Sequence, residues 1–113
     1  MAKYVATISG DLNEFSNYLT KQILDGSISA SLEEQEYMEL NGVCCCVQAY
    51  ERYSAMGGNR VSLHVTMLSN GEQLRLTAIT SGGSQAVFFK INTIGEEAFL
   101  DKLREAVEQF KRQ

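Results

Sequence analysis

The chain has 113 residues, 44% hydrophobic and 21% charged, with ten Lys and Arg against fourteen Asp and Glu for a formal charge of −4. It holds no Pro, no Trp, one His and three consecutive Cys at 44–46. These proportions exclude collagen-like, proline-rich and disordered chains, and they leave room for one domain, 1–113, with no second of ordinary size. A domain of this length buries roughly 65% of its unfolded surface, enough for a core without disulfide staples. Neighbouring Cys residues do not bridge easily, so Cys44, Cys45 and Cys46 read as reduced strand residues. No apolar run reaches the ~18 residues of a membrane span, and the N-terminus lacks a signal-peptide pattern, so the expected location is cytoplasmic. The basic residues are scattered singly, which predicts neither nucleic acid nor membrane as a partner, since both need clustered Lys and Arg.

Residues 3–9 are rich in strand formers and give a first strand that Gly10 ends. Asp11 with Glu14 forms a capping-box start, and Leu12, Phe15, Leu19 and Ile23 recur at helical spacing. That predicts a helix over 12–25, stopped by Gly26 in a left-handed conformation. From residue 27 the period becomes two, with Ile28, Ala30 and Leu32 alternating against Ser, which predicts a second strand reaching Leu40. Asn41-Gly42 predicts a two-residue type I′ hairpin into a third strand over 43–54. A Gly57-Gly58 turn leads to a fourth strand over 60–69, and Asn70-Gly71 predicts another tight hairpin, pairing Ser69 with Glu72, into a fifth over 72–81. Residues 86–91 read as a short sixth strand or a buried extended segment. Thr93 with Glu96 then opens a helix over 94–111 whose stripe is Phe99, Leu103, Ala106, Val107 and Phe110.

The order β-α-β-β-β-β-(β)-α predicts an α+β fold in two layers, a five- or six-stranded antiparallel sheet with both helices on one face. That order resembles the TATA-binding-protein-like and helix-grip architectures, a likeness of element order that transfers no function. A closer likeness lies in Glu51-Arg52-Tyr53-Ser54-Ala55-Met56-Gly57-Gly58-Asn59-Arg60-Val61-Ser62-Leu63 and in Thr80-Ser81-Gly82-Gly83-Ser84-Gln85-Ala86-Val87-Phe88-Phe89-Lys90-Ile91-Asn92-Thr93. These stretches resemble a family of small uncharacterised bacterial proteins, a domain of unknown function mostly from Gram-positive species. The resemblance spans nearly the whole chain and implies no activity, cofactor or catalytic residue.

Hairpin pairing predicts which side chains share a face. The face away from the helices is expected to carry Ser29, Ser31, Glu33, Cys44, Cys46, Gln48, Tyr50, Arg52, Arg60, Ser62, His64, Thr66, Arg75 and Thr77, with Cys45 in the core. Pairing Ser54 with Arg60 gives a row Glu33–Tyr50–His64–Thr77, a carboxylate, a phenol and an imidazole able in principle to pass a proton. The plainer reading is a solvated face of ordinary polar pairs. In that register Cys46 and His64 do not meet, which argues against a zinc site and a Cys-His nucleophile, and no motif implies a cofactor.

Gly82, Gly83, Ser84 and Gln85 form a glycine-rich turn that could cradle an anion but lacks a P-loop's Lys and its immediate helix. Phe88 and Phe89 are consecutive, so in a strand one enters the core and the other lines a pocket, packs under the C-terminal helix or meets a partner.

The leading function on these grounds is a non-enzymatic module binding a small molecule or peptide between the sheet and the C-terminal helix, near 82–92. A cavity lined by Phe88 or Phe89 with Leu103 and Val107 would mark it. The second is self-association, for instance as a homodimer, through the open sheet face or the edge of strand two, against which the run of Glu33, Glu34, Glu36 and Glu39 argues. The third is an enzyme using Glu33, Tyr50 and His64, or Arg52, Arg60 and Arg75 as an anion clamp.

Overall fold

A computed structural model of the chain describes residues 1–53, 60–82 and 89–113. The elements run β1 (Ala2–Ser9), α1 (Leu12–Asp25), β2 (Ser31–Leu40), β3 (Val43–Tyr53), β4 (Arg60–Ser69), β5 (Gln73–Gly82) and α2 (Phe89–Lys111). The strands form one antiparallel sheet in the order β1-β5-β4-β3-β2, so α1 carries the chain from one edge to the other. Alternation decides the layers. Ile8, Leu63, Val65, Met67, Leu74, Leu76 and Ala78 are buried on one face, under Phe15, Leu19 and Ile23 of α1 and Phe99, Leu103 and Val107 of α2. The fold is α+β with two helices on one side of an open sheet, as the element order predicts.

Local chemistry explains the boundaries. Asp11 caps α1 by accepting from the Glu14 N–H at 2.9 Å. The stop at Gly26 differs from the expected one: its φ is −83°, right-handed, and its N–H simply donates to the Gln22 carbonyl. Strand β2 begins at Ser31 rather than 27, because Ala30 N–H bonds back to Ser27 O in a turn. The apolar-polar alternation there is a turn sequence, and Ile28 is fully exposed.

The first Asn-Gly pair is a two-residue hairpin closed by Leu40 and Val43, with φ of +53° at Asn41 and +82° at Gly42. The second is longer. Asn70 Oδ1 accepts from the N–H groups of Glu72 and Gln73, and Ser69 pairs with Leu74 instead of Glu72. That shift of two residues leaves every side chain on its expected face.

The shift between β3 and β4 is one residue, and it turns β3 over. Tyr50 pairs with Leu63 and Ala49 with His64. Cys44, Cys46, Gln48, Tyr50 and Arg52 therefore face the helices, and Cys45 faces away. Of the short strand or extended segment expected at 86–91, Phe89, Lys90 and Ile91 are instead the first turn of α2, and 86–88 lie outside the described residues. Thr93 and Glu96 accordingly sit inside that helix rather than at its cap. The buried Glu96 carboxylate accepts from the Met1 ammonium at 2.9 Å.

Candidate functional site

The row Glu33–Tyr50–His64–Thr77 does not form. The one-residue register shift puts Tyr50 in the core and His64 on the opposite, exposed face, and Glu33 falls at a bulge between Leu32 and Glu34. Arg75 shares the exposed face with His64, where it pairs with Thr7 and Leu68. The three arginines form no clamp either. Arg52 faces the helices, whereas Arg60 lies on the other side and pairs with Glu51.

Of the residues singled out around the glycine-rich turn, Gly82 ends β5 on the helix-facing side, in line with Val61 and Arg52. Phe89 opens α2, and Gly83, Ser84, Gln85 and Phe88 lie outside the described residues. Leu103 and Val107 are fully buried in the shared core, and neither lines any of the three hollows described on the surface. Arg52 packs its guanidinium over the Phe99 ring, 4.6 Å from the centroid. Burial lowers its pKa from the ordinary arginine value.

Tyr50 belongs to a closed ring of hydrogen bonds. Gln48 Nε2 donates to Thr20 Oγ1 at 3.0 Å, Thr20 and Tyr50 share 2.7 Å between hydroxyls, and Tyr50 donates to Gln48 Oε1 at 2.8 Å. With Tyr50 giving its only proton to Gln48, the Thr20 hydroxyl must donate to Tyr50, so the ring runs in one direction. The second Gln48 amide proton goes to Gln35 Oε1 at 2.7 Å, and Tyr37 meets Ser16 at 2.5 Å. This network fastens β2 and β3 to α1. Its members satisfy one another. Burial raises the pKa values of Tyr50, Cys46 and Tyr37 above their ordinary values, which keeps all three neutral. Among the described residues, no group of three His, Cys, Asp or Glu is placed to hold a metal ion.

The accessible chemistry lies at β2. This strand ends the sheet, and apart from the half-buried Leu32 all its residues are exposed. Its regular half, past the bulge, runs from Glu34 to Leu40 against Ala49 to Val43. In a two-residue hairpin the closing pair exchanges both backbone bonds, so bonded pairs alternate along Leu40–Val43, Met38–Cys45 and Glu36–Val47. Gln35, Tyr37 and Glu39 consequently turn their N–H and C=O groups outward. The Gln35 N–H bonds only its neighbour's carboxylate, Glu34 Oε1, at 3.3 Å.

Two hollows flank this edge, one per face, and both are lined by Met38 and Glu39. On the helix side a groove of about 460 Å³ lies between the edge and the start of α1, walled by Gly10, Asp11, Tyr37, Cys44 and Ser69. On the outer face a shallow apolar hollow of about 770 Å³ is walled by Leu40, Val43, Cys45 and Leu68. Leu40 is 77% exposed, Met38 51% and Leu68 48%, an apolar patch at one corner of the outer face. Sequence reasoning missed Tyr37, Met38, Leu40, Val43 and Leu68. Their signal is a broken alternation: after four acidic or amide residues, Tyr37, Met38 and Leu40 place apolar groups on both faces of one strand.

No curated protein matches this chain. The model described as "Family of unknown function (DUF6054)" matches residues 1–111, and the chain belongs to that family.

Proposed function

We propose that the protein is a non-enzymatic binding module that captures an extended peptide segment by adding it as a strand to β2. The observation that carries this reading is the pair of hollows sharing Met38 and Glu39, one on each face of an unpaired edge. An added strand projects side chains alternately to the two faces, so it needs a recess on each side of the same edge residues. Backbone bonds to Tyr37 and Glu39 would supply affinity, and the two recesses would supply side-chain selectivity.

The test is a titration of the fluorescent heptapeptide Val-Thr-Val-Thr-Gln-Thr-Gln, read by anisotropy, with hydrogen exchange of the protein's amides. Saturable binding is expected, together with new protection at the Tyr37 and Glu39 amides. Glu39→Pro should abolish it and Glu39→Gln should not, because both remove the charge but only Pro removes the outward N–H. Equal binding by the two variants would overturn strand addition.

A further inference from the structure

We infer that the segment captured at β2 is cationic at two alternate positions and apolar at the two preceding alternate positions; this rests on the strand-addition reading above. The outer face of β2 is divided along its length. Glu34 and Glu36 stand at one end, opposite Ala49 and Val47 of β3, and Met38 and Leu40 stand at the other, opposite Cys45 and Val43. The apolar end is deepened by Leu68, which pairs with Cys45 in the next strand. The two carboxylates have no Lys or Arg partner among the described ion pairs. A strand laid against this face meets two negative charges and then two apolar side chains, at a spacing of two residues.

Pairing rules turn that pattern into a partner. Cross-strand neighbours stabilise when opposite charges or apolar groups face each other, and like charges directly opposite destabilise. An antiparallel partner runs from Leu40 back towards Glu34. Read from its N-terminus, it carries apolar, any, apolar, any, cationic, any, cationic. A second copy of β2 does not satisfy this. Antiparallel pairing centred on Tyr37 sets Glu34 against Leu40 and Glu36 against Met38. Parallel pairing in register sets each Glu against its own copy. In these registers the edge disfavours itself while remaining open to a basic, amphipathic strand, which is how one side-chain set gives both exclusion and selectivity.

Three peptides that differ only in charge test this: Val-Thr-Val-Thr-Lys-Thr-Lys, the Gln version above, and Val-Thr-Val-Thr-Glu-Thr-Glu. The Lys peptide should bind several-fold to about tenfold more tightly than the Gln peptide, and the Glu peptide more weakly than either. The preference should shrink in 0.5 M NaCl, because the pairs are exposed. Glu36→Lys, a surface change, should narrow or invert the order. Binding that is lost in Glu39→Pro but equal for all three peptides would overturn the charge inference and leave strand addition standing. Absence of β2-dependent binding by any peptide would overturn both. So would a dimer whose Tyr37 and Glu39 amides are protected without peptide, since the occupant would then be a second copy.

Discussion

Tyr50 shows how a polar residue earns a place in an apolar core. Its ring is fully buried among Phe15, Leu63 and their neighbours, yet its hydroxyl needs a partner in surroundings where an unmade bond is costly. The ring meets that need twice, with Thr20 donating to the hydroxyl and Gln48 Oε1 accepting from it, and Gln48 passes the connection on to Gln35 at the edge strand. Tyr50→Phe keeps the ring volume but leaves Gln48 Oε1 without a donor and Thr20 without its acceptor. We expect a loss of about 1–3 kcal/mol. Urea unfolding should show a lower midpoint at unchanged slope, the signature of lost stability without a change in compactness. A midpoint equal to that of the parent protein would mean the ring contributes nothing net.

At the level of elements, turns decide what the side-chain pattern alone leaves open. The Asn41-Gly42 hairpin could be read directly, because two left-handed residues in succession leave one geometry and therefore one register for Glu34–Leu40 against Ala49–Val43, as far as the bulge. We expect Gly42→Ala to cost about 1–2 kcal/mol through backbone conformation alone. A Cβ at Gly42 meets nothing within 4 Å, so no steric term is added. Thermal unfolding of that variant checks the value, and an unchanged midpoint would show that the turn relaxes freely. Where no such signal exists, reading fails in a specific way. The 54–59 connection offers several lengths, and choosing one residue differently turned Cys44, Cys46, Gln48, Tyr50 and Arg52 from the helix side to the open side. At Asn70-Gly71 the difference is two residues, and the faces are unaffected. Parity, rather than size, determines whether a register error corrupts a site.

For the whole molecule, the hydroxyls of Tyr50 and Tyr37 that tie β3 and β2 to α1, with the Cys46 thiol between those strands, set a limit on the pH at which the two layers stay joined. The edge of β2 is legible in the sequence from its run of Glu33, Glu34, Glu36 and Glu39, but the two hollows beside it are not, because Gly10, Asp11 and Leu68 reach them from elements distant in sequence. The buried stripe of α1, by comparison, could be read by period alone. The anchoring groups, by contrast, carry a thermodynamic consequence that can be derived. Burial raises the pKa of Tyr50 first of all, with Cys46 and Tyr37 shifted the same way by the same cause. For an acid that is neutral when protonated, a folded-state pKa above the unfolded one means that the unfolded chain releases its proton first. The stability these groups contribute is therefore fully present below the unfolded values, near 9.0 for the thiol and 10.0 for the phenols, and it is lost as pH rises beyond them. We expect urea midpoints to hold steady from pH 7 to about 8.5 and then to fall towards pH 11. In Tyr50→Phe the neutral-pH midpoint starts lower but the alkaline fall should be shallower, because one of the shifted acids is gone. Parallel limbs in the two proteins would show that Tyr50 ionisation does not drive alkaline unfolding.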